Sequence, residues 1–188
     1  MVYHSDQTFT KNDFKKQDLG IGEYEACTFH GCDFLATDLS GCRFIDCQFT
    51  TCDLSNAKLH KTSLQDVQFS NYKMIGLAFD TCNAFNFSAN FKAWILNHSI
   101  FFQMKLNRVN FIECQLQDVD FAQAEMIGTS LHKCQLLNAN FDHTNIEKAD
   151  FRDASDFSID PESNKIKGAR FSASSLHGLL VKYQLVIE

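Results

Sequence analysis

With one proline and eight glycines in 188 residues, the chain has little of what ordinarily bends a backbone, so other residue types must make its turns. No apolar run approaches the ~18 to 20 residues of a membrane-spanning helix. The opening "MVYHSDQTFT" lacks a basic start followed by an apolar core, which argues against a secretory leader and sets the expectation of a cytoplasmic protein. Positive charge is scarce. The 17 Lys and Arg face 23 Asp and Glu, a formal charge of −6, which leaves no basic stripe to grip nucleic acid directly. None of the eight cysteines forms a C-x-x-C pair and the seven histidines make no H-x-x-x-H, so no metal site is expected. There is no G-x-S-x-G, no glycine loop to cradle a phosphate and no paired-acid constellation. The chain reads as a non-enzyme with no cofactor.

What is present is a period. In "CTFHGCDFLATDLSGCRFIDCQFTTCDL", residues 27–54, Phe29, Phe34, Leu39, Phe44, Phe49 and Leu54 fall five apart. Two positions before each stands a small residue: Cys27, Cys32, Thr37, Cys42, Cys47 or Cys52. The series runs from Phe9 to Phe79, slips by two residues within 80–90, and resumes from Phe91 to Phe151. Of its 28 positions 24 are Phe or Leu, although those types make up only 36 of 188 residues; chance would supply about 5.

Neither regular element accommodates such a period. On an α-helix five residues turn about 500°, so the apolar positions wander around the axis. On a strand an odd spacing alternates between faces. A short fixed period without a matching element marks a solenoid, in which the chain turns a corner at each repeat. Matches at a lag of twenty (Phe9, Phe29, Phe49, Phe69; Leu96, Leu116, Leu136; Cys32 with Cys52; Cys114 with Cys134) favour four sides and about seven coils at ~4.8 Å spacing. The central Phe or Leu then points inward, and so does the small residue two before it, at a tight corner. The cysteines read as reduced core residues.

Function is left to the outward positions. Asp13, Asp33 and Asp53 share one column at lag twenty, and Asp18 and Asp38 share the next. Asp46 with Asp66, and Asp120 with Asn140, make further pairs, while Lys58 and Lys73 interrupt the first two columns. Stacked carboxylates repel, which points to a functional acidic stripe; the alternative is that Asp is simply the usual occupant of that repeat position. A rod of seven coils would match about 34 Å of DNA carrying roughly twenty charges, so any imitation of DNA must be one-sided. Tyr72, Trp94 and Met104 put bulky side chains at small-residue positions near the slip, where locally widened coils are expected. Phe85, Phe87 and Phe102 form a candidate partner-contacting bulge there. At the C-terminus Ser172 or Ser174 is placed to cap a helix to about Lys182, with Leu176, Leu179, Leu180 and Tyr183 in one apolar stripe followed by Leu185 in an apolar tail. This element, 173–188, either caps the solenoid of 1–172 or pairs with its own copy.

The copies "ANFKA" (89–93), "VDFAQ" (119–123), "ANFDH" (139–143) and "ADFRD" (149–153), with "CDFLA" and "CDLSN" as variants, resemble the pentapeptide-repeat family, whose motif is A-(D/N)-(L/F)-x-x. The resemblance implies an all-β fold: a right-handed quadrilateral parallel β-solenoid, here with a short C-terminal helix. The tail "DFSIDPESNKIKGARFSASSLHGLLVKYQLVIE" and the single mid-chain slip are similar to the topoisomerase-protecting members, namely the Qnr quinolone-resistance, albicidin-resistance and microcin-immunity proteins. That group implies a homodimer joined through its C-terminal element. It also implies a non-enzymatic protein that binds DNA gyrase or topoisomerase IV by DNA mimicry and shields it from a drug or toxin, with no direct contact to nucleic acid or membrane. A structural or scaffold solenoid with an unrelated protein partner is the alternative.

Overall fold

The computed structural model describes residues 2–17 and 19–186. Among these residues twelve short strands run in chain order: β1 (Val2–Ser5), β2 (Thr8–Thr10), β3 (Gly22–Glu25), β4 (Thr28–His30), β5 (Arg43–Ile45), β6 (Gln48–Thr50), β7 (Ser63–Gln65), β8 (Val67–Lys73), β9 (Ala89–Ile95), β10 (Phe111–Ile112), β11 (Asp150–Phe151) and β12 (Arg170–Phe171). All their pairings are parallel. The sheet β2-β4-β6-β8-β9-β10 forms one side of a rod, and β1-β3-β5-β7 begins another. The remaining two sides are stitched by single bridges such as Asp13↔Asp33 and Ile100↔Asp120.

We name the sides by their inward residues. Side A carries Phe9 to Phe171, side B Phe14 to Leu136, side C Leu19 to Phe141, and side D His4 to Ile166. Partners lie twenty residues apart, as in Phe9↔Phe29, Phe29↔Phe49 and Tyr24↔Phe44, so one coil is four repeats. The β11–β12 pairing, Phe151↔Phe171, adds a level beyond the last clear motif copy.

The period of five follows from this geometry. Inward rings stack coil on coil, with Phe9, Phe29, Phe49, Phe69, Phe91 and Phe111 separated by 4.8, 4.6, 5.1, 5.2 and 5.0 Å. Such aromatic pairs contribute roughly 0.5–1.5 kcal/mol each beyond the area they bury. The small residue two before the centre also has a polar task. Cys47 and Cys52 donate their thiols to the carbonyls of Tyr24 and Phe29 (3.2 and 3.3 Å), and Thr62, Thr129 and Thr144 donate hydroxyls to Leu39, Leu106 and Phe121 at 2.7 to 2.9 Å. In each case the donor reaches the coil before its own, tying corner to corner. All eight cysteines are buried, and desolvation pushes the Cys47 and Cys82 thiols up to about 12, which makes those two unreactive, whereas hydrogen bonds from Cys52 and Cys134 lower Cys32 and Cys114.

Most corners are turned without glycine, although Gly31, Gly41, Gly76, Gly128 and Gly168 stand at some. Ala36, Thr51, Asn56, Lys61 and their equivalents take the left-handed conformation (φ 56°, 58°, 56°, 57°), at a cost of roughly 1–2 kcal/mol for an L-residue. The corner N–H is used in return: Ala36 donates to the Ser55 carbonyl and Thr51 to that of Ser70, at 2.9 and 3.1 Å.

At the slip the register is Val67↔Ala89 and Phe69↔Phe91, twenty-two residues instead of twenty. Side D absorbs the two extra residues in an irregular bulge between Cys82 and Ala89, pinned by Asn83 N–H to the Thr62 carbonyl and Ser88 N–H to the Leu64 carbonyl, both 2.9 Å. The ladders on sides A and C continue through it. Trp94 and Met104 are accommodated in the core, with Trp94 edge-on to Phe69 at 5.9 Å. Tyr72 departs from the expectation of a third bulky corner residue inside. It is the register partner of Trp94, yet Tyr72 turns out to solvent while Trp94 is buried.

The C-terminal element also differs from expectation. It is not an α-helix but two 3₁₀ segments, Ala173–Leu179 and Val181–Tyr183. Ser172 occupies the N-cap position without capping, because its hydroxyl is held by Asp153 instead. With three residues per turn the apolar stripe is broken: Leu179 packs on the core, Leu180 is half-buried, and Leu176, Tyr183 and Leu185 are exposed. The segment crosses the rod end against Phe157. A Cβ on Gly178 would lie 2.5 Å from both the Phe157 ring and its carbonyl oxygen, so only glycine permits this approach. Ile159 N–H donates to the Gly178 carbonyl at 2.9 Å, and Lys182 bridges Asp160 and Glu162 at 2.7 and 2.6 Å.

Candidate interaction surface

The acidic column lies on side B, where Asp13, Asp33 and Asp53 are consecutive bridge partners, followed by Lys73. Each carboxylate has two engagements. Its Oδ1 accepts the backbone N–H two residues on, from Lys15, Leu35 and Ser55 respectively at 3.2, 2.9 and 3.0 Å. Its Oδ2 meets a lysine: Lys16 with Asp13 at 2.9 Å, Lys15 with Asp33 at 3.0 Å, and Lys73 with Asp53 at 3.0 Å. Asp38 sits around the corner on side C, bridged to Lys58, and accepts the Ser40 N–H at 2.9 Å. Asp18 lies outside the described residues.

These contacts set the ionisation. The Lys16 hydrogen bond holds Asp13 below the usual carboxylate range, and the hydroxyl and amide of Ser40 do the same for Asp38. For Asp53 partial burial pushes upward, but the Ser55 amide and the Lys73 ammonium outweigh it and the net shift is downward. Asp13 and Asp53 are therefore ionised at neutral pH, and the column sets three carboxylates against three lysines. The same amide bond recurs at Asp120, Asn140, Asn145 and Asp150, which explains why the repeat favours Asp or Asn before its centre.

The aromatic residues of the bulge split up. Phe85 is 70% exposed, whereas Phe87 packs edge-on to Phe79 at 6.4 Å. Phe102 is exposed on the neighbouring side C, and together with Asp80, Cys82, Phe87, Met104 and Lys105 it lines a cleft of about 360 Å³. Among the described residues no group of three or more His, Cys, Asp or Glu is placed to hold a metal ion, and no helix is long and apolar enough to cross a membrane.

One feature of side D was not visible as a column. Ahead of the bulge its outward positions carry Asp6, Glu23, Glu25, Asp46 and Asp66 against Arg43; beyond it they carry Lys105, Arg108, Lys148, Lys165 and Lys167 against Glu125 and Glu147. Its acids stand at three different offsets within the repeat, so of all of them only the Asp46–Asp66 pair showed at lag twenty.

A four-sided rod of parallel coils, with inward Phe and Leu every five residues and an amide-binding Asp or Asn before several of them, defines a repeat β-solenoid built from five-residue units. The chain belongs to the pentapeptide-repeat family: a model of the pentapeptide repeat region matches residues 23–87 and 79–151. No curated protein matches it in sequence. Among solved structures it is similar to a trypsin-treated variant of QnrB1, a plasmid-mediated fluoroquinolone resistance protein, at 17% identity with all of both chains covered and a TM-score of 0.63. Full-length QnrB1 aligns at 19% identity over 98% of this chain and 100% of the other, with a TM-score of 0.54.

Proposed function

We propose that the chain is a non-enzymatic binding protein that occupies the DNA-binding surface of a type II topoisomerase and protects the enzyme from a drug or toxin. The observation that supports this reading is the likeness in fold to a fluoroquinolone resistance protein over the full length of both chains. In this reading Asp13, Asp33 and Asp53 of side B and Asp38 of side C, together with Asp18, take the place of phosphates, and the enzyme's basic groups displace Lys15, Lys16 and Lys73 from side B. Phe85 and Phe102 add an apolar contact. The exposed apolar residues Leu176, Leu185 and Val186 join two copies at their C-terminal ends.

The test is a DNA gyrase supercoiling assay with the protein titrated in, with and without a gyrase poison, repeated with topoisomerase IV. Rescue from the poison, or inhibition at higher concentration, supports the reading. No effect in either arm refutes it. Reversing Asp33 to Lys is expected to weaken the effect, and an unchanged response would remove the side B column from the interface. A specific observation favours the scaffold reading: every described acid of that column already serves a turn amide and a lysine, so the column has a structural reason to exist. Capture by a basic groove weakens steeply with salt, and an apolar scaffold contact does not.

A further inference from the structure

We propose that side D is a self-complementary surface on which two copies of this chain pack face to face and antiparallel, about a two-fold axis at the bulge. This stands independently of the topoisomerase reading and uses a face of the rod rather than the C-terminal tail. The argument begins with position. On side D four levels precede the bulge (Tyr3, Glu23, Arg43 and Ser63 mark them) and four follow it (Lys105, Glu125, Asn145 and Lys165). The bulge therefore lies at the midpoint, and the acidic and basic halves extend equally on either side. A two-fold axis lying in the face and crossing the rod at the bulge superimposes each level of the acidic half on one of the basic half while keeping each lateral column opposite itself.

Read level by level, the match is specific. Asp66 and Arg108 both stand at left-handed corners in the same column, one level before and one level after the bulge, so each faces the other's copy. Ser88 holds one oxygen of Asp66 at 2.9 Å and Lys105 lies on the same level as Arg108, so the second oxygen has two cations within reach. One level further out Arg43, which already pairs with Glu23 at 2.7 Å, comes opposite Glu125, and Ile45 comes opposite Ile127, apolar against apolar in one column. At the ends Asp6 comes beside Lys167. Glu25, bonded to the Tyr3 hydroxyl at 2.7 Å, is the one like-charge match, opposite Glu147, with Lys148 in the adjoining column. At the centre the exposed ring of Phe85 meets its own copy, the usual place for an aromatic anchor within a polar surround. The face extends over about 38 Å of rod and three outward columns, roughly 700 Å² per copy, close to what a specific interface requires.

The contact occurs twice in the dimer, which permits a test by charge exchange. Asp66→Arg places Arg opposite Arg at both contacts, and Arg108→Asp places Asp opposite Asp. Mixed together, the two variants restore opposite charges at both. With the full-length Asp66→Arg chain immobilised, the affinity for the Arg108→Asp chain is expected to exceed that for a second Asp66→Arg chain by about tenfold or more, falling with added salt. A tail-mediated contact would retain both partners equally, so equal affinities overturn the proposal. Both positions are exposed corners, and circular dichroism melting confirms that the variants fold. A second exchange, Arg43→Glu with Glu125→Arg in one chain, is expected to keep wild-type self-association where each single change weakens it. Loss of association in the exchanged chain equal to that in the singles also overturns it.

Discussion

Asp53 separates the two things its side chain does. Its Oδ1 accepts the Ser55 N–H at 3.0 Å and its Oδ2 faces the Lys73 ammonium at 3.0 Å, with the Asp53 side chain only 15% exposed. Replacement by Asn keeps an acceptor for the amide, as Asn140 shows with the Asp142 N–H at 3.0 Å, and removes the charge. Replacement by Ala removes both. A half-exposed ion pair is worth roughly 0.2–1 kcal/mol after screening, so Asp53→Asn should cost about 0.5 kcal/mol. Loss of the amide bond adds about 1 kcal/mol, which puts Asp53→Ala near 1.5 kcal/mol. For a chain of this size those losses correspond to melting-temperature decreases of about 1–2 °C and about 3–6 °C. The native Asp53 carboxyl is held below its unfolded value. Its charge-dependent contribution is therefore fully present above the ordinary carboxylate pKa near 4 and fades as pH falls through the depressed native value, so Asp53→Asn should converge on wild type in acid while Asp53→Ala keeps the loss of the amide bond, which a protonated carboxyl still accepts. Thermal denaturation followed by circular dichroism between pH 7 and pH 3 reads this directly. Equal losses for Asn and Ala at pH 7 would refute the reasoning, since the amide bond would then carry nothing.

Gly178→Ala should detach the C-terminal segment from Phe157, lowering the melting temperature by several degrees and opening the tail to limited proteolysis; an unaffected digestion pattern would contradict the close approach. Thr51→Asn, at a left-handed corner with φ 58° where a β-branched residue is strained, should stabilise by about 0.5–1 kcal/mol in chemical denaturation. The Lys182 clasp should be acid-labile. Its hydrogen bonds hold Asp160 and Glu162 below their ordinary pKa values, so the clasp persists above those values and releases as pH falls through the depressed ones. Protection against hydrogen exchange at Val181–Tyr183, relative to the intrinsic rate at each pH, should be lost in acid before that of the coils, and simultaneous loss would count against a local clasp.

How much of this was legible depended on whether a property is carried by period or by contact. The inward ladder is pure period, so Phe9 through Phe151, the four sides and the position of the slip could be read directly from spacing. The Asp13–Asp33–Asp53 column was legible as well, but its electrostatics were not. Lys73 looked like an interruption and is a counter-ion, because a residue twenty further on lies directly beside Asp53. Lys15 and Lys16 sit next to Asp13 in sequence, yet Lys15 serves Asp33 in the following coil. The tail was misread because a Leu spacing suited to an α-helix also contains Gly178, and contact with Phe157 rather than propensity set its conformation. The charge division of side D escaped because its acids occupy several offsets and no single lag collects them.

The coil also fixes how such a chain can change length. Twenty residues are a unit of extension: removing twenty shortens the rod by one storey and leaves every surface residue pointing where it did. Five residues are a unit of rotation. Removing five would keep all inward rings in register but turn everything downstream by about a quarter turn, moving the lysines of side D onto another side. The two-residue insertion between Cys82 and Ala89 is neither unit, and the fold contains it within one side of one coil. Sequence drift in this protein can therefore lengthen the rod or swivel one end against the other, and the hydrophobic interior registers neither change.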